Sequence, residues 1–140
     1  IKGTKSKKEV TSIIDEIILN LEKNRILNDE MYSDSKARMF LRRGYSLNKI
    51  NQSLRNKGIE DKFIKQSLEK IKEDEIEPDF VSALKLCKRR RIGPLRPGPN
   101  RELFYKKDMG ILARGGFSFD LSKRILDLDS EEFKKLIKII

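Results

Sequence analysis

The side chains best placed to do chemistry in this chain are cations. Lys88-Arg89-Arg90-Arg91 form an unbroken basic run, with Arg96 and Arg101 close behind. Residues 85–107 hold nine positive side chains and one negative, Glu102, and so carry most of the net charge of +10. Four consecutive residues of a helix point around most of its circumference, so at least two of the run face outward, where they can neutralise phosphates or meet an acidic protein. Arg42, Arg43, Lys49, Arg55 and Lys57 form a second basic face. Just upstream of the run the sign reverses: Glu73, Asp74, Glu75, Glu77 and Asp79 fall within seven positions. A field this lopsided suits a polyanion or an acidic protein groove, and the plainer alternative is a solvated charged surface.

The same inventory excludes much else. With no His and one Cys, Cys87, among 140 residues, the usual zinc sites and any Ser–His or Cys–His couple are ruled out. A lone Cys forms no internal disulfide, which fits a reducing, cytoplasmic setting. Cys87 falls on an apolar stripe and is expected to be a small buried hydrophobe. No phosphate-cradling glycine loop, dinucleotide fingerprint or nucleophile elbow occurs. The acids from Glu73 to Asp79 are expected to be solvated or to cap a helix rather than hold a metal. The expectation is a protein that is no enzyme and takes no metal or cofactor. No apolar stretch is long enough to span a bilayer. The first residue is Ile rather than Met, from which a fragment of a longer chain is expected.

These cations must be positioned by helices. Val10, Ile13, Ile14, Ile17, Ile18 and Leu21 keep a continuous helical stripe, and similar stripes recur at Phe63–Ile71, Phe80–Cys87 and Phe133–Ile140. Sustained period-two alternation and hairpin turns are missing, so the fold class is all-α. Asn28 and Asp29 are expected to cap a helix that ends before Gly44; Ser46 caps a short helix ended by Gly58. Gly93-Pro94-Leu95-Arg96-Pro97-Gly98-Pro99 interrupts the helical pattern, and a helix from about Arg101 to Arg114 follows, closed by Gly115 and Gly116, with Ser118 as the next cap.

The chain repeats itself. At an offset of 72, Arg42-x-Gly44-Tyr45-Ser46-Leu47 lies on Arg114-x-Gly116-Phe117-Ser118-Phe119. At an offset of 50, Ile13, Ile14, Ile18 and Leu21 fall on Phe63, Ile64, Leu68 and Ile71, and Lys2-Gly3 echoes Lys57-Gly58 before the next helix. The expected unit has three helices, repeated in tandem to make an elongated, curved, right-handed-type array. Residues 1–24 are then the remnant third helix of a first unit. Residues 25–91 form a central unit with the helix that follows it, 92–100 a linker and 101–140 a last unit. A surface of this kind favours binding over catalysis. The Gly-Tyr-Ser turn is also compatible with a helix-turn-helix whose second helix offers Asn48, Lys49, Asn51, Gln52 and Arg55 to DNA. The second copy presents Asp120 and Lys123 instead, so a polar outer face is preferred to sequence-specific reading.

Leu27-Asn28-Asp29-Glu30, Arg42-Arg43-Gly44-Tyr45-Ser46, Ile50, Leu54 and Lys57-Gly58-Ile59, taken in order, resemble the central repeat of the RecX family, the bacterial regulators of RecA. Arg114 and Gly116-Phe117-Ser118 resemble its C-terminal repeat. The likeness covers roughly residues 2–126; the Pro-rich stretch and the extra helix of Ser130–Ile140 depart from the family pattern. The resemblance implies a monomeric modulator that binds in the groove of the RecA–DNA filament. It would restrain ATP hydrolysis, strand exchange and co-protease activity in recombination, DNA repair and the SOS response. RecA, and DNA whether single- or double-stranded, are the implied partners, contacted by the basic residues named above. An independent DNA- or RNA-binding helical protein and a protein–protein adaptor are the alternatives.

Overall fold

The structure, a computed structural model, describes residues 6–140. Lys2-Gly3 therefore lies outside the described residues. Eight α-helices and one short 3-10 turn account for the described secondary structure, and no strand occurs among these residues.

The first helix, α1, runs unbroken from Lys7 to Arg42, a length of about 54 Å at the ordinary rise per residue. Ser6 caps its start by accepting from the Glu9 N–H. Asn28 and Asp29, expected to begin a new helix, lie inside it instead. Neither Gly nor Pro occurs between Ser6 and Arg43, and an Asn or Asp in a helix interior costs only about 0.7 kcal/mol. That cost is too small to break a run of good helix formers.

After α1 come α2 (Leu47–Asn56) and α3 (Asp61–Asp74), which pack against its C-terminal half. Ala37, Phe40, Ile50, Leu54, Ile64 and Ile71 form the first core. Beside it, Ser33 donates to the Phe63 carbonyl and shares a hydrogen bond with Ser67, whose hydroxyl also bonds Asp34.

The second core joins α4 (Pro78–Arg90), the 3-10 turn Gly93–Leu95, α6 (Tyr105–Arg114), α7 (Phe119–Leu126) and α8 (Ser130–Ile139); the six-residue α5 (Gly98–Leu103) leads into α6. Leu84, Cys87, Leu112, Ile125, Leu126 and Phe133 are buried here. The stretch expected as a linker is thus part of a core: Ile92, Gly93 and Pro94 are buried. Asp108 explains how. Fully buried, it accepts from the Gly93 N–H at 2.9 Å and takes both arms of the Arg96 guanidinium at 2.8 Å. The prolines end helices, while this clamp fixes the path between them.

The turn geometry expected from the offset of 72 occurs twice. Gly44 and Gly116 both adopt left-handed backbone, at φ 87° and 89°. Tyr45 N–H bonds the Phe40 carbonyl as Phe117 N–H bonds that of Leu112. Ser46 and Ser118 then cap α2 and α7 through the N–H groups of Lys49 and Leu121.

Candidate interface for an anionic partner

The two cores meet where the second glycine turn touches the start of α2. Ser46 caps α2 and also donates to the Gly115 carbonyl at 2.7 Å, and Asn48 Nδ2 donates to that of Gly116 at 3.2 Å. Asp79, in the first turn of α4, accepts from the Leu47 N–H at 2.8 Å and adds a second cap to α2. These bonds set α2 alongside α6 with a cleft between them.

The cleft is basic. One part, of about 570 Å³, is lined by Asn48, Lys49, Asn51, Gln52, Arg55 and Arg114, with Ala113 and Gly116 at its floor. A second part, of about 230 Å³, shares Lys49 and Arg114 and adds Arg89 and Arg90 from the end of α4. Five cations therefore converge, and no carboxylate lines either part. Lys49 lies over the Tyr45 ring, 4.0 Å from its centroid, and that ring stacks on Phe40 at 5.0 Å, so its stem is braced by the first core. Arg89 donates to the Arg43 carbonyl at 3.1 Å, which ties the end of α4 to the end of α1.

Of the neighbouring acids, Asp61 pairs with Arg55 at 3.2 Å, and others have partners away from the cleft. Arg38 pairs with Asp74 and approaches Glu75. Arg124 meets Glu77 at 2.7 Å, and its hydrogen bond and charge hold the Glu77 carboxyl below its ordinary range. Cys87 faces the second core, where burial and the nearby Asp108 charge push its thiol up to about 12. It is therefore an inert packing group. Among the described residues no three His, Cys, Asp or Glu side chains gather as a metal site requires, and no helix is long and apolar enough to cross a membrane.

Three curated relatives share this sequence pattern, each named regulatory protein RecX. That of Myxococcus xanthus is 32% identical over 85% of this chain and 63% of the relative. That of Corynebacterium efficiens is 31% identical over 88% and 61%, and that of Agrobacterium fabrum 26% over 81% and 58%. The chain belongs to the RecX family. It spans about three fifths of the length of the relatives it matches. No family model matches the chain, and no solved structure does. The RecX relatives are named as regulatory proteins rather than enzymes, which supports a regulatory role.

Within this RecX-family chain the eleven basic residues expected to form the interface part company. Lys49, Arg55, Arg89 and Arg90 line the cleft. Lys88 turns toward α8 and donates to the Ile137 carbonyl; Arg91 is exposed just past α4 in left-handed backbone. Arg42 borders a different recess, with Glu75, Pro78 and Lys85, while Arg43 and Lys57 are exposed at helix ends. Arg96 and Arg101 hold the second core together: Arg96 grips Asp108, and Arg101 donates to the carbonyls of Leu126 and Leu128. Arg114 is the cleft cation that the charge runs do not single out. The offset of 72 places it on Arg42, which lies outside the cleft, so the repeat gives no signal for it. The α2 face is exposed at Asn48, Lys49, Gln52 and Arg55, as a polar outer face requires, and it forms one wall of the cleft.

Proposed function

We propose that this chain is a cytoplasmic regulator that binds the RecA–DNA filament and restrains RecA, limiting its ATP hydrolysis, strand exchange and co-protease activity. Membership of the RecX family supports this choice of partner. The observation that carries the reading is the convergence of Lys49, Arg89, Arg90 and Arg114, with Arg55 beside them paired to Asp61, on one cleft whose lining holds no carboxylate. The filament offers acidic protein surface and DNA phosphate side by side, and both attract such a face. A rigid helical body laid across neighbouring RecA subunits resists the rearrangements that ATP turnover and strand exchange need, and no catalytic group is required. Acting as a monomer, it inhibits by holding a state rather than by reacting.

RecA's DNA-dependent ATPase, measured with this protein added and beside its binding to bare DNA, tests the reading. Inhibition at concentrations well below those that bind DNA is expected. Binding to DNA or RNA with no effect on RecA would replace it with an independent nucleic-acid-binding role.

A further inference from the structure

The two cores share no side chain, and the seam between them is loosely packed. Recesses of about 230, 310 and 110 Å³ lie along it, each lined from both sides. Tyr45 and Phe117 line the first, Leu47 and Leu121 the second, Leu41 and Val81 the third. Polar bonds close the seam: Ser46 and Asn48 donate to the carbonyls of Gly115 and Gly116, Arg89 donates to that of Arg43, and Asp79 accepts from the Leu47 N–H. Water replaces such bonds when a seam opens, and bodies joined by a small polar interface move against each other unless something holds them. Along the chain, residues 75–77 connect the two bodies. Glu75 is extended, Ile76 is 89% exposed and Glu77 adopts left-handed backbone at φ 46°. A side chain disfavours that last conformation, which persists where surrounding contacts impose it. The contacts are ion pairs, one on each side. Arg38 of α1 holds Asp74 and approaches Glu75, which ties the upstream end to the first body. Arg124 of α7 holds Glu77 and lies over the Phe80 ring at 4.4 Å, which ties the downstream end to the second. A change of angle is thereby confined to the residues between two anchored ends.

We propose that Glu75–Glu77 is a hinge between two rigid bodies and that Asp79 is the latch that holds them at the closed angle. Asp79 sits in the first turn of α4, just past the hinge, and its carboxylate reaches the start of α2 on the other body at 2.8 Å. Because α2 keeps its own cap in Ser46, losing the Asp79 bond loosens the joint more than the helix. The walls of the basic cleft come one from each body, so the hinge angle sets their spacing. The rigidity by which the chain would restrain RecA therefore depends on the latch, a consequence that rests on the filament reading. The hinge itself does not.

The test measures distances by pulsed electron paramagnetic resonance between spin labels on pairs of introduced cysteines. Lys65→Cys on α3 with Lys134→Cys on α8 spans the hinge. Ser35→Cys with Lys65→Cys, and Lys107→Cys with Lys134→Cys, each lie within one body, and all of these positions are exposed. The buried Cys87 stays unlabelled. A narrow distribution is expected for every pair in the parent. Asp79→Ala is expected to broaden the cross-hinge distribution about twofold or more and to leave both internal pairs narrow. An unchanged cross-hinge distance, or equal broadening of the internal pairs, overturns the proposal. Should Asp79→Ala fail to fold, Asn48→Ala/Arg89→Ala removes two other seam bonds from exposed side chains. The same split between cross-hinge and internal pairs is expected there, and its absence overturns the hinge too. RecA ATPase inhibition, measured on the same proteins, is expected to weaken severalfold in Asp79→Ala; full inhibition by a loosened variant would show that the latch does not serve it. The distances are measured without RecA, which separates the two ideas. No inhibition by the parent defeats the filament reading and leaves the hinge standing, whereas inhibition beside an unchanged cross-hinge distance does the reverse.

Discussion

The two glycine turns of this molecule have one local geometry and two different surroundings. At Gly44 the turn rests against α4, with Lys85 Cβ 3.2 Å from where a side chain would begin. At Gly116 the same backbone presses on the cap of α2, and a Cβ there would overlap Ser46 Oγ and crowd Asn48. The serines differ in step: Ser46 is buried and bonds across to Gly115, whereas Ser118 is exposed and only caps its own helix. Local sequence thus sets the turn, and packing decides which copy becomes a junction. The arginine before each glycine follows its turn, so Arg114 reaches the cleft and Arg42 does not.

The polar groups inside the cores differ in the same direction. The second core encloses Asp108 and its clamp; the first is edged by the more exposed Asp34 and Lys70, with the buried Ser67 bonded to Asp34. The largest expected effect is accordingly that of Asp108→Ala, which strands Arg96 and the Gly93 N–H and should cost about 3–5 kcal/mol in urea unfolding. Next, Gly116→Ala should cost about 3 kcal/mol against about 1–2 for Gly44→Ala, because only the former adds a clash at the junction to the left-handed strain. Equal costs would show that the second turn is not tightly seated. Ser46→Ala should then cost about 2 kcal/mol and Ser118→Ala about 1, both read from the same unfolding curves.

The smallest effect concerns pH. Burial raises the Asp34 carboxyl, but its hydrogen bonds to Lys70 and Ser67 outweigh that and hold it below its ordinary value of 3.8. A carboxyl lowered on folding stabilises the protein above its unfolded value, and the contribution is lost as pH falls through the lower folded one. Stability should therefore decline below about pH 4 less steeply in Asp34→Asn than in the parent, as thermal midpoints across that range would show.

Where a feature depended on neighbouring residues, it was legible in the sequence. The caps at Ser46 and Ser118, the closures at Gly44 and Gly116 and the all-helical class follow from side chains bonding within a few positions. Partners were not legible. The stripe of α1 and the stripe of α3 share their spacing, yet Ile14 is 49% exposed and Ile64 is 1%. Periodicity gives a helix its apolar face, and only other helices decide whether that face is covered. Asn28-Asp29 misled for a related reason, since a capping residue acts only where the chain already leaves the helix. The basic run likewise marked a charged region without telling Arg96, held by a buried carboxylate, from Arg90, which lines the cleft. Arg114 joins that cleft across two separate cores, a convergence that no local pattern records.

The most direct measurement is the binding of this protein to preassembled RecA–DNA filaments across a salt series, comparing the parent with Arg89→Glu/Arg90→Glu. Weaker binding with a shallower dependence on salt, together with relief of ATPase inhibition, is the predicted result. Unchanged binding and unchanged inhibition would contradict the claim that this basic cleft meets the filament.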